Sequence, residues 1–366
     1  MSQLITLSKD SADFKRYLNG TFSKDLRALP IESLNVNTNT ETVTFKIVPK
    51  GEIHRPHFFD LIIRVLRPTR FVFILFPLLF LLLEKSPVKM VKDPLVVIWS
   101  TIGLIFLYGS VQLRNDYHDY MNGLDRLSYT SSSQVILNGW VTAEFVKQLS
   151  WIFSGVSFLC SIPVLLVFPK ILAVMALAGL LLFWSLFRGH SSFKNVIAGE
   201  IVFGILLGPI LAAGYEISIT GNASLNSIFF GVVWGALILF RFHLSHFENI
   251  LVYSQAKLRN MVTYWGFDKA KRNIFFWWIG VVTLFFVFEF FTVHPMIWSG
   301  TLILLLIMSR KFYFCLRGLA SPIGSGMKEV QSQGQQLFNL FVLLWLTQII
   351  FGYLALDLFN SFLRGI

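Results

Sequence analysis

Three aspartates and an asparagine stand close together in the segment NDYHDYMNGLD, at residues 115–125. Asp116 and Asp119 are three residues apart, so on a helix they share one face. Asp125 follows Gly123, which permits the chain to turn back, and Asn115 adds a neutral oxygen. Mg²⁺ prefers a few carboxylates together with the phosphate oxygens of a substrate. The spacing therefore favours a magnesium site that holds a phosphate, and the alternative is a solvated helix end with ordinary surface acids.

A second polar cluster occupies residues 243–259. His243 and His246 are three residues apart near Glu248, a set that would suit a transition metal. Interfacial histidines without a ligand role are the simpler interpretation. Lys257, Arg259 and Arg241 flank this set of side chains, and their charges would bind a diphosphate directly. The alternative for these three is the ordinary excess of basic residues on the cytoplasmic side of membrane proteins.

The elements that must position these residues are membrane helices. The chain has 366 residues, of which 55% are hydrophobic and only 14% charged, whereas a soluble domain carries about 25% charged residues. The net charge of +11 therefore reflects membrane topology and anionic lipid or diphosphate, and no nucleic-acid partner is expected. Apolar runs near spanning length predict nine transmembrane helices, at residues 62–84, 94–114, 142–163, 167–187, 199–217, 225–244, 274–293, 295–311 and 336–360.

The distribution of basic residues predicts the orientation of these helices. With the N-terminus in the cytoplasm, the loops at 115–141, 188–198, 245–273 and 312–335 face the same side, and most of them are distinctly basic. We therefore expect a multi-pass protein of a prokaryotic cytoplasmic membrane, with its polar loops inside. Residues 1–56 are polar and form a short cytoplasmic extension, in which 42–48 alternate weakly as in a single strand. Residues 57–366 form the membrane domain.

The motif at 115–125 resembles the first aspartate-rich motif of the UbiA-type membrane prenyltransferases. It is most similar to the branch that prenylates 1,4-dihydroxy-2-naphthoate in menaquinone synthesis, whose pattern is roughly NDYxDYxxGxD. The likeness extends to Leu66–Thr69, which resembles the RPxT start of that branch, to Lys194 with Gly199–Glu200, and to the glycines within 203–215. It covers residues 60–270, and nine helices is also the count of that family.

This resemblance implies an all-α integral membrane fold, with nine helices in a UbiA-like bundle around a cavity open to lipid. It implies Mg²⁺-dependent transfer of an isoprenoid from a polyprenyl diphosphate to a small aromatic acceptor, with the tail in an apolar tunnel that the 38 Phe residues suit. The catalytic residues implied are Asp116, Asp119 and Lys194, and those binding diphosphate are Asn115, Arg67, Lys257 and Arg259. The metal ligands implied are Asp116, Asp119, Asp125, Glu248 and Asn249.

The chain departs from the family at the second aspartate-rich motif. The two metal-binding aspartates of that motif correspond here to Asn249 and Tyr253, so their negative charge is lost. Glu248 precedes the first of these two positions by one residue, so on a helix its side chain points about 100° away from that of Asn249. In the loop after the first motif, the hydroxyl-rich residues 128–133 replace an Arg and a Gly-Pro. A degenerate relative that binds lipid, quinone or a partner without turnover is therefore the alternative to an enzyme. A secondary transporter is less favoured, because the acids lie at the membrane boundary rather than the midplane.

Overall fold

The amino-terminal residues form a small sheet. The computed structural model describes residues 3–85, 91–127, 134–178, 197–292 and 295–364. Within them β1 (Gln3–Ser8), α1 (Phe14–Asn19), β2 (Leu26–Leu34) and β3 (Thr42–Pro49) come first. The strands form an antiparallel sheet in the order β1-β3-β2. The sequence predicted only one of these strands, because β1 and β2 lack the clear alternation of apolar and polar residues.

This sheet packs against the helical part of the chain. Val43 and Phe45 of β3 are fully buried and share a hydrophobic cluster with Leu113, Tyr120 and Val146. The amino-terminal residues are therefore attached to the helices that carry the first motif. The polar composition of 1–56 gave no sign of this, since only a few alternating side chains make the contact.

The helices that follow coincide with most of the predicted apolar runs. In chain order they are α2 (Phe58–Leu66), α3 (Val72–Lys85), α4 (Pro94–Met121), α5 (Leu124–Leu127), α6 (Ala143–Val167), α7 (Gly199–Ile205), α8 (Leu211–Thr220), α9 (Leu225–Glu248), α10 (Ile250–Gln255), α11 (Met261–Thr292), α12 (Pro295–Gly318) and α13 (Ser325–Arg364). Residues 171–178 are also helical, and a 3₁₀ turn at Pro68–Phe71 joins α2 to α3.

Five of these segments within the described ranges are long and apolar enough to cross a membrane. They are Pro94–Met121, Ala143–Val167, Gly199–Thr220, Leu225–Glu248 and Met261–Phe290. A sixth is the pair Phe58–Leu66 and Pro68–Glu84, which is bent by 40°. Since Pro68 lacks an N–H, it cannot continue α2, and the predicted span at 62–84 is broken there. The protein is thus a mostly helical, multi-pass membrane protein, and the total of nine spans remains a prediction.

Small residues bring α7 and α9 into close contact. A Cβ atom on Gly208 or Gly235 would overlap the backbone of the facing segment, at Gly231 and Gly204 respectively. The backbone departs from helical geometry at Gly208, where Pro209 follows. Backbones that approach this closely are typical of membrane helix pairs, because small side chains maximise packing contacts. The contact fixes residue 200 of α7 against α9, which matters for the site described below.

The core of the bundle is aromatic. Phe230 and Trp234 of α9 pack with Phe80 of α3 and with Trp345 of α13, and ring centroids lie 4.0 to 6.5 Å apart. All four side chains are buried. Many of the Phe residues therefore serve to pack the helices together.

Candidate functional site

The aspartates of the first motif lie on one face of the last turns of α4. Gln112, Asp116 and Asp119 follow one another at spacings of four and three residues, and all three are buried. After α4 ends, Gly123 adopts a φ of +79°, which reverses the chain. This turn starts α5 and buries Asp125, whose side chain is 4% exposed. The predicted grouping on one helix face is present, and the acids are not a solvated helix end.

Two arginines from the bend between α2 and α3 face these acids. Arg67, at a φ of +49°, places its Nη2 3.1 Å from the Asp116 carboxylate. Arg70 donates from Nη1 to the Oε1 of Gln112 at 3.2 Å. It also lies within electrostatic range of Asp116 and Asp119. Sequence reasoning identified Arg67 but missed Arg70, although the Pro68 break that presents both was visible.

The second loop brings Tyr253 to the aspartates. Its side chain, 4% exposed, lies within electrostatic range of Asp119, Glu200, Arg70 and Asp125. Burial raises the pKa of Tyr253 well above its usual range, and the neighbouring carboxylates add to the shift. The hydroxyl is therefore a neutral hydrogen-bond donor at physiological pH. Tyr253, which the resemblance aligns with an aspartate of the second motif, therefore lies near the first-motif aspartates as an uncharged side chain.

Glu248 and Asn249 are directed elsewhere. Asn249 donates to the carbonyl of Ser245 at 2.9 Å, within its own helix. Glu248 is half-buried beside the charges of Arg241 and Lys328. In the described part of the chain, no three acidic, His or Cys side chains form a group that could hold a metal ion. The five predicted metal ligands are therefore not assembled into one preformed site.

Both histidines of α9 bind one carboxylate. The Nδ1 atoms of His243 and His246 lie 2.7 and 2.5 Å from the two carboxylate oxygens of Glu200. All three side chains are buried. The carboxylate beside this histidine pair is therefore Glu200. The transition-metal hypothesis required Glu248 in that position. Glu200 entered the predictions from sequence only as part of the family resemblance and was not paired with the histidines, because it lies on α7, far away along the chain.

The remaining predicted residues have diverse positions. Asn115 is half-buried beside Asp116 on α4. Lys257, with a φ of +54°, and Arg259 are exposed on the segment after α10. Lys194 and the hydroxyl-rich residues 128–133 lie outside the described residues. The roles of these residues remain predictions.

An apolar cavity begins next to the polar site. Its volume is about 240 Å³, and it lies between α4, α6, residues 171–178 and the α7–α8 segment. Tyr108 lines this cavity and accepts a hydrogen bond of 2.6 Å from the Nε2 of Gln112, the residue that also contacts Arg70. Among the described residues that line the cavity, Phe203 is the one Phe. The expectation of a Phe-rich tunnel does not hold for this cavity, which is mostly aliphatic.

The loop between β2 and β3 contacts both polar loops. Glu41 accepts from Arg126 at 2.7 Å, and this pair is almost completely buried. Asn37 donates from Nδ2 to the carbonyl of Ala256 at 3.1 Å, just after Tyr253. A Cβ on Gly123 would overlap Val36. The amino-terminal sheet therefore supports the two loops that carry Asp125 and Tyr253.

Comparison with known proteins gives a family and a fold. A model of the UbiA prenyltransferase family matches residues 73–318. A structure of a UbiA homologue from Archaeoglobus fulgidus, bound to GPP and Mg²⁺, has a TM-score of 0.53 and 14% identity, covering 79% of this chain and 99% of that one. A structure of digeranylgeranylglyceryl phosphate synthase in membranes has a TM-score of 0.54 and 15% identity, covering 80% and 98%. A search of curated protein sequences gave no match.

Proposed function

Because this chain belongs to the UbiA prenyltransferase family, we propose that it transfers an isoprenoid chain from a polyprenyl diphosphate to a small acceptor in the membrane. One observation carries this proposal: the buried aspartates of α4 lie on the same helix face as Gln112, which donates a hydrogen bond to Tyr108 in the wall of an apolar cavity. A charged end next to an apolar space suits the two ends of an isoprenoid diphosphate.

The residues present fit a magnesium ion that is completed by the substrate. Mg²⁺ is usually bound by one or two carboxylates plus phosphate oxygens rather than by an all-protein cage. Asp116 and Asp119 supply two buried carboxylates from one helix face, and Asp125 lies on the adjoining turn. When bound, the ion would neutralise charge that develops on the departing pyrophosphate. The family relative bound to GPP and Mg²⁺ supports this assignment.

The side chains of the site then have distinct tasks. Arg67 and Asn115 orient the diphosphate, and Lys194, Lys257 and Arg259 add positive charge from the loops. The bond between the allylic carbon and the diphosphate oxygen breaks, and the electron pair leaves with pyrophosphate. The acceptor attacks the allylic carbon and then releases a proton. Burial of the site excludes water, which would otherwise capture the allylic cation.

The acceptor we propose is an aromatic, naphthoate-like quinone precursor. The support is the segment at 115–125, which follows the pattern of that branch throughout. An electron-rich ring is the nucleophile that an allylic cation needs. We further propose that the N-terminus and the site loops face the cytoplasm of a prokaryotic cell, because basic residues are concentrated in those loops.

A second candidate function is binding of an isoprenoid diphosphate or a quinone without turnover. Two observations favour it. The second motif has lost both aspartates, at Asn249 and Tyr253, and Asp116 already forms an ion pair with Arg67. Two missing charges beside a divalent ion weaken its binding substantially.

Turnover by the purified protein separates the two functions. The protein in lipid is incubated with radiolabelled farnesyl or geranylgeranyl diphosphate and several phenolic acceptors, with Mg²⁺ or with EDTA. We expect a prenylated product that requires Mg²⁺ and disappears in the Asp116→Asn/Asp119→Asn variant. The exposed Arg272→Gln serves as the control, because it removes a charge outside the site. Metal-dependent binding of the donor without product would establish the non-catalytic function instead.

A further inference from the structure

We propose that a hydrophobic floor at the end of the apolar cavity limits the isoprenoid tail of the donor to about four isoprene units, each about 5 Å long over its four C–C bonds. The floor is a cluster of four buried aliphatic side chains, Val96, Val164, Ile171 and Ile217. It lies at the end of the cavity that is farther from the aspartates. This inference rests on the proposed function, because it specifies which donors the same site accepts.

The cavity follows α4 away from the aspartates. Its lining residues on α4 begin at Val111, five positions before Asp116, and end at Trp99, a further twelve positions back. At a rise of about 1.5 Å per residue, those twelve positions span about 18 Å. The lining residues of the α7–α8 segment also extend over twelve positions, from Phe203 to Tyr215. Two helices therefore give the cavity a similar depth.

A hydrogen bond marks the far end of this cavity. The hydroxyl groups of Thr101 and Tyr215 lie 2.8 Å apart, so α4 and α8 are side by side at that level. Trp99 and Ser100 adjoin Thr101 in the sequence and line the cavity there. Trp99 and Tyr215, the last lining residues of their helices, are therefore at one end of the cavity, and the aspartates are towards the other.

The floor fills the space beyond these last lining residues. Val96 of α4 and Ile217 of α8 lie just past the last lining residue of each helix. Val164 of α6 and Ile171 line the cavity and belong to the same cluster. All four side chains are between 2% and 9% exposed. A tail that reaches the floor therefore meets packed side chains from three helices and from residues 171–178.

The depth of the cavity matters more than its apolar area. Lipid tails are as apolar as the side chains of the cavity, so a tail gains little by leaving the bilayer for the cavity. A tail that is too long reaches the floor before its diphosphate reaches Asp116 and Asp119. A depth of about 18 Å holds about three to four isoprene units of about 5 Å each. The donors that fit are therefore of the farnesyl and geranylgeranyl class.

Competition between donors of different length tests this proposal without turnover. The full chain in nanodiscs binds radiolabelled geranyl diphosphate in Mg²⁺ without an acceptor, and unlabelled diphosphates, each expressed as a mole fraction of the lipid, displace it. For the wild type we expect geranyl, farnesyl and geranylgeranyl diphosphates to compete similarly. Octaprenyl diphosphate should compete roughly tenfold or more weakly, because extra methylene groups force packed side chains out of their rotamers.

Two variants change the depth in opposite directions. Ser100→Phe adds as many non-hydrogen atoms near the far end as one isoprene unit contains, and the Ser100 hydroxyl has no hydrogen bond to lose within the described residues. It should weaken competition by geranylgeranyl diphosphate roughly tenfold and leave geranyl diphosphate unchanged. Val164→Ala/Ile171→Ala removes as many carbon atoms from the floor as one isoprene unit contains. In this variant the diphosphate one unit longer than geranylgeranyl should compete as well as geranylgeranyl itself.

A control separates selection by length from loss of folding. Leu159→Ala shortens a side chain of α6 that is 64% exposed and outside the cavity, and it should leave all relative affinities unchanged. A variant that is only less stable would bind every donor more weakly by the same factor, so the ratio between donors is decisive. If the double alanine variant does not fold, as judged by its thermal unfolding midpoint, Ser100→Phe decides, because it fills space instead of creating a cavity.

The outcomes distinguish this inference from the proposed function. Equal competition by octaprenyl and geranylgeranyl diphosphates, or identical ratios in wild type and Ser100→Phe, would overturn the floor and leave the assay of Asp116 and Asp119 unaffected. Absence of binding for every donor in Mg²⁺ would overturn the proposed function together with the floor. Length-dependent competition without prenyl transfer to any acceptor would support the floor and favour the non-catalytic function.

Discussion

Replacing Arg126 by methionine is expected to release the amino-terminal sheet from the aspartate loop. Arg126 is 1% exposed in its side chain and pairs with the Glu41 carboxylate at 2.7 Å. It also donates to the hydroxyl of Ser33 and to the carbonyls of Tyr120 and Met121, at 3.2 to 3.3 Å. The bonds to Glu41 and Ser33 join the sheet region to the aspartate loop, and the bonds to the two carbonyls hold Arg126 against the end of α4. The substitution therefore removes the side-chain hydrogen bonds of this residue to the sheet region.

The size of the effect follows from burial. Removing one partner of a buried ion pair costs about 3–5 kcal/mol. The lower end of this range applies here, because the Nζ of Lys9 lies 3.8 Å from a carboxylate oxygen of Glu41 and still partly compensates its charge. At about 1.4 kcal/mol per factor of ten, a cost of about 3 kcal/mol shifts the equilibrium between docked and released sheet by about two orders of magnitude. Replacing both partners, as Glu41→Leu/Arg126→Met, leaves no unpaired charge and should restore much of the loss.

Hydrogen exchange followed by mass spectrometry measures this equilibrium directly. Amides of residues 35–49 and 122–127 should exchange faster by a factor of about a hundred in Arg126→Met, in line with the cost of the unpaired charge. The aromatic core of α9 should not change. The matched control is Arg16→Met, which breaks an exposed pair with Asp13, whose side chains are 61% and 52% exposed. Surface pairs contribute about 0–1 kcal/mol, so this variant should resemble wild type.

The reasoning would be refuted by either of two results. The first is unchanged exchange in both segments of Arg126→Met. The second is a double variant less protected than either single variant, which would mean that the pair is not the origin of the coupling.

Three further predictions concern stability, measured as the thermal unfolding midpoint in one lipid. Gly123→Ala should have a much lower midpoint than Gly266→Ala. Both glycines have a positive φ, but a Cβ would clash with neighbouring side chains only at Gly123. Gly235→Ala should prevent close packing of α9 on α7 and lower the midpoint. Gly280→Ala should be neutral or raise stability by about 1 kcal/mol, because a Cβ there has no atom within 4 Å and Ala favours a helix more than Gly does. Tyr253→Phe should alter the pH dependence of the stability. The pKa of the Tyr253 phenol is raised in the folded protein, whereas in the unfolded chain the phenol ionises near about pH 10. The wild type should therefore lose stability relative to the variant as the pH rises above about 10. A stability difference that stays constant through this range would contradict the burial of that hydroxyl.

The sequence was sufficient for properties that depend on one segment at a time. The apolar run at 94–114 predicted a membrane helix, and α4 contains it. The three-residue spacing of Asp116 and Asp119 predicted a shared face, and both side chains are buried on it. Family membership also followed from local motifs, because the aspartates of the first motif are closely spaced along the chain.

Contacts between distant segments required the tertiary structure. Glu200 binds histidines that lie 43 and 46 residues further along the chain, and Asn37 reaches a carbonyl 219 residues away. Hydropathy does not specify these pairs, since lipid tails are as apolar as the helices and do not drive one helix against another. Close packing at glycines such as Gly204 and Gly235 decides which faces meet. The types of chemical group were therefore determined by the sequence, and their partners by the shape of the packed helices.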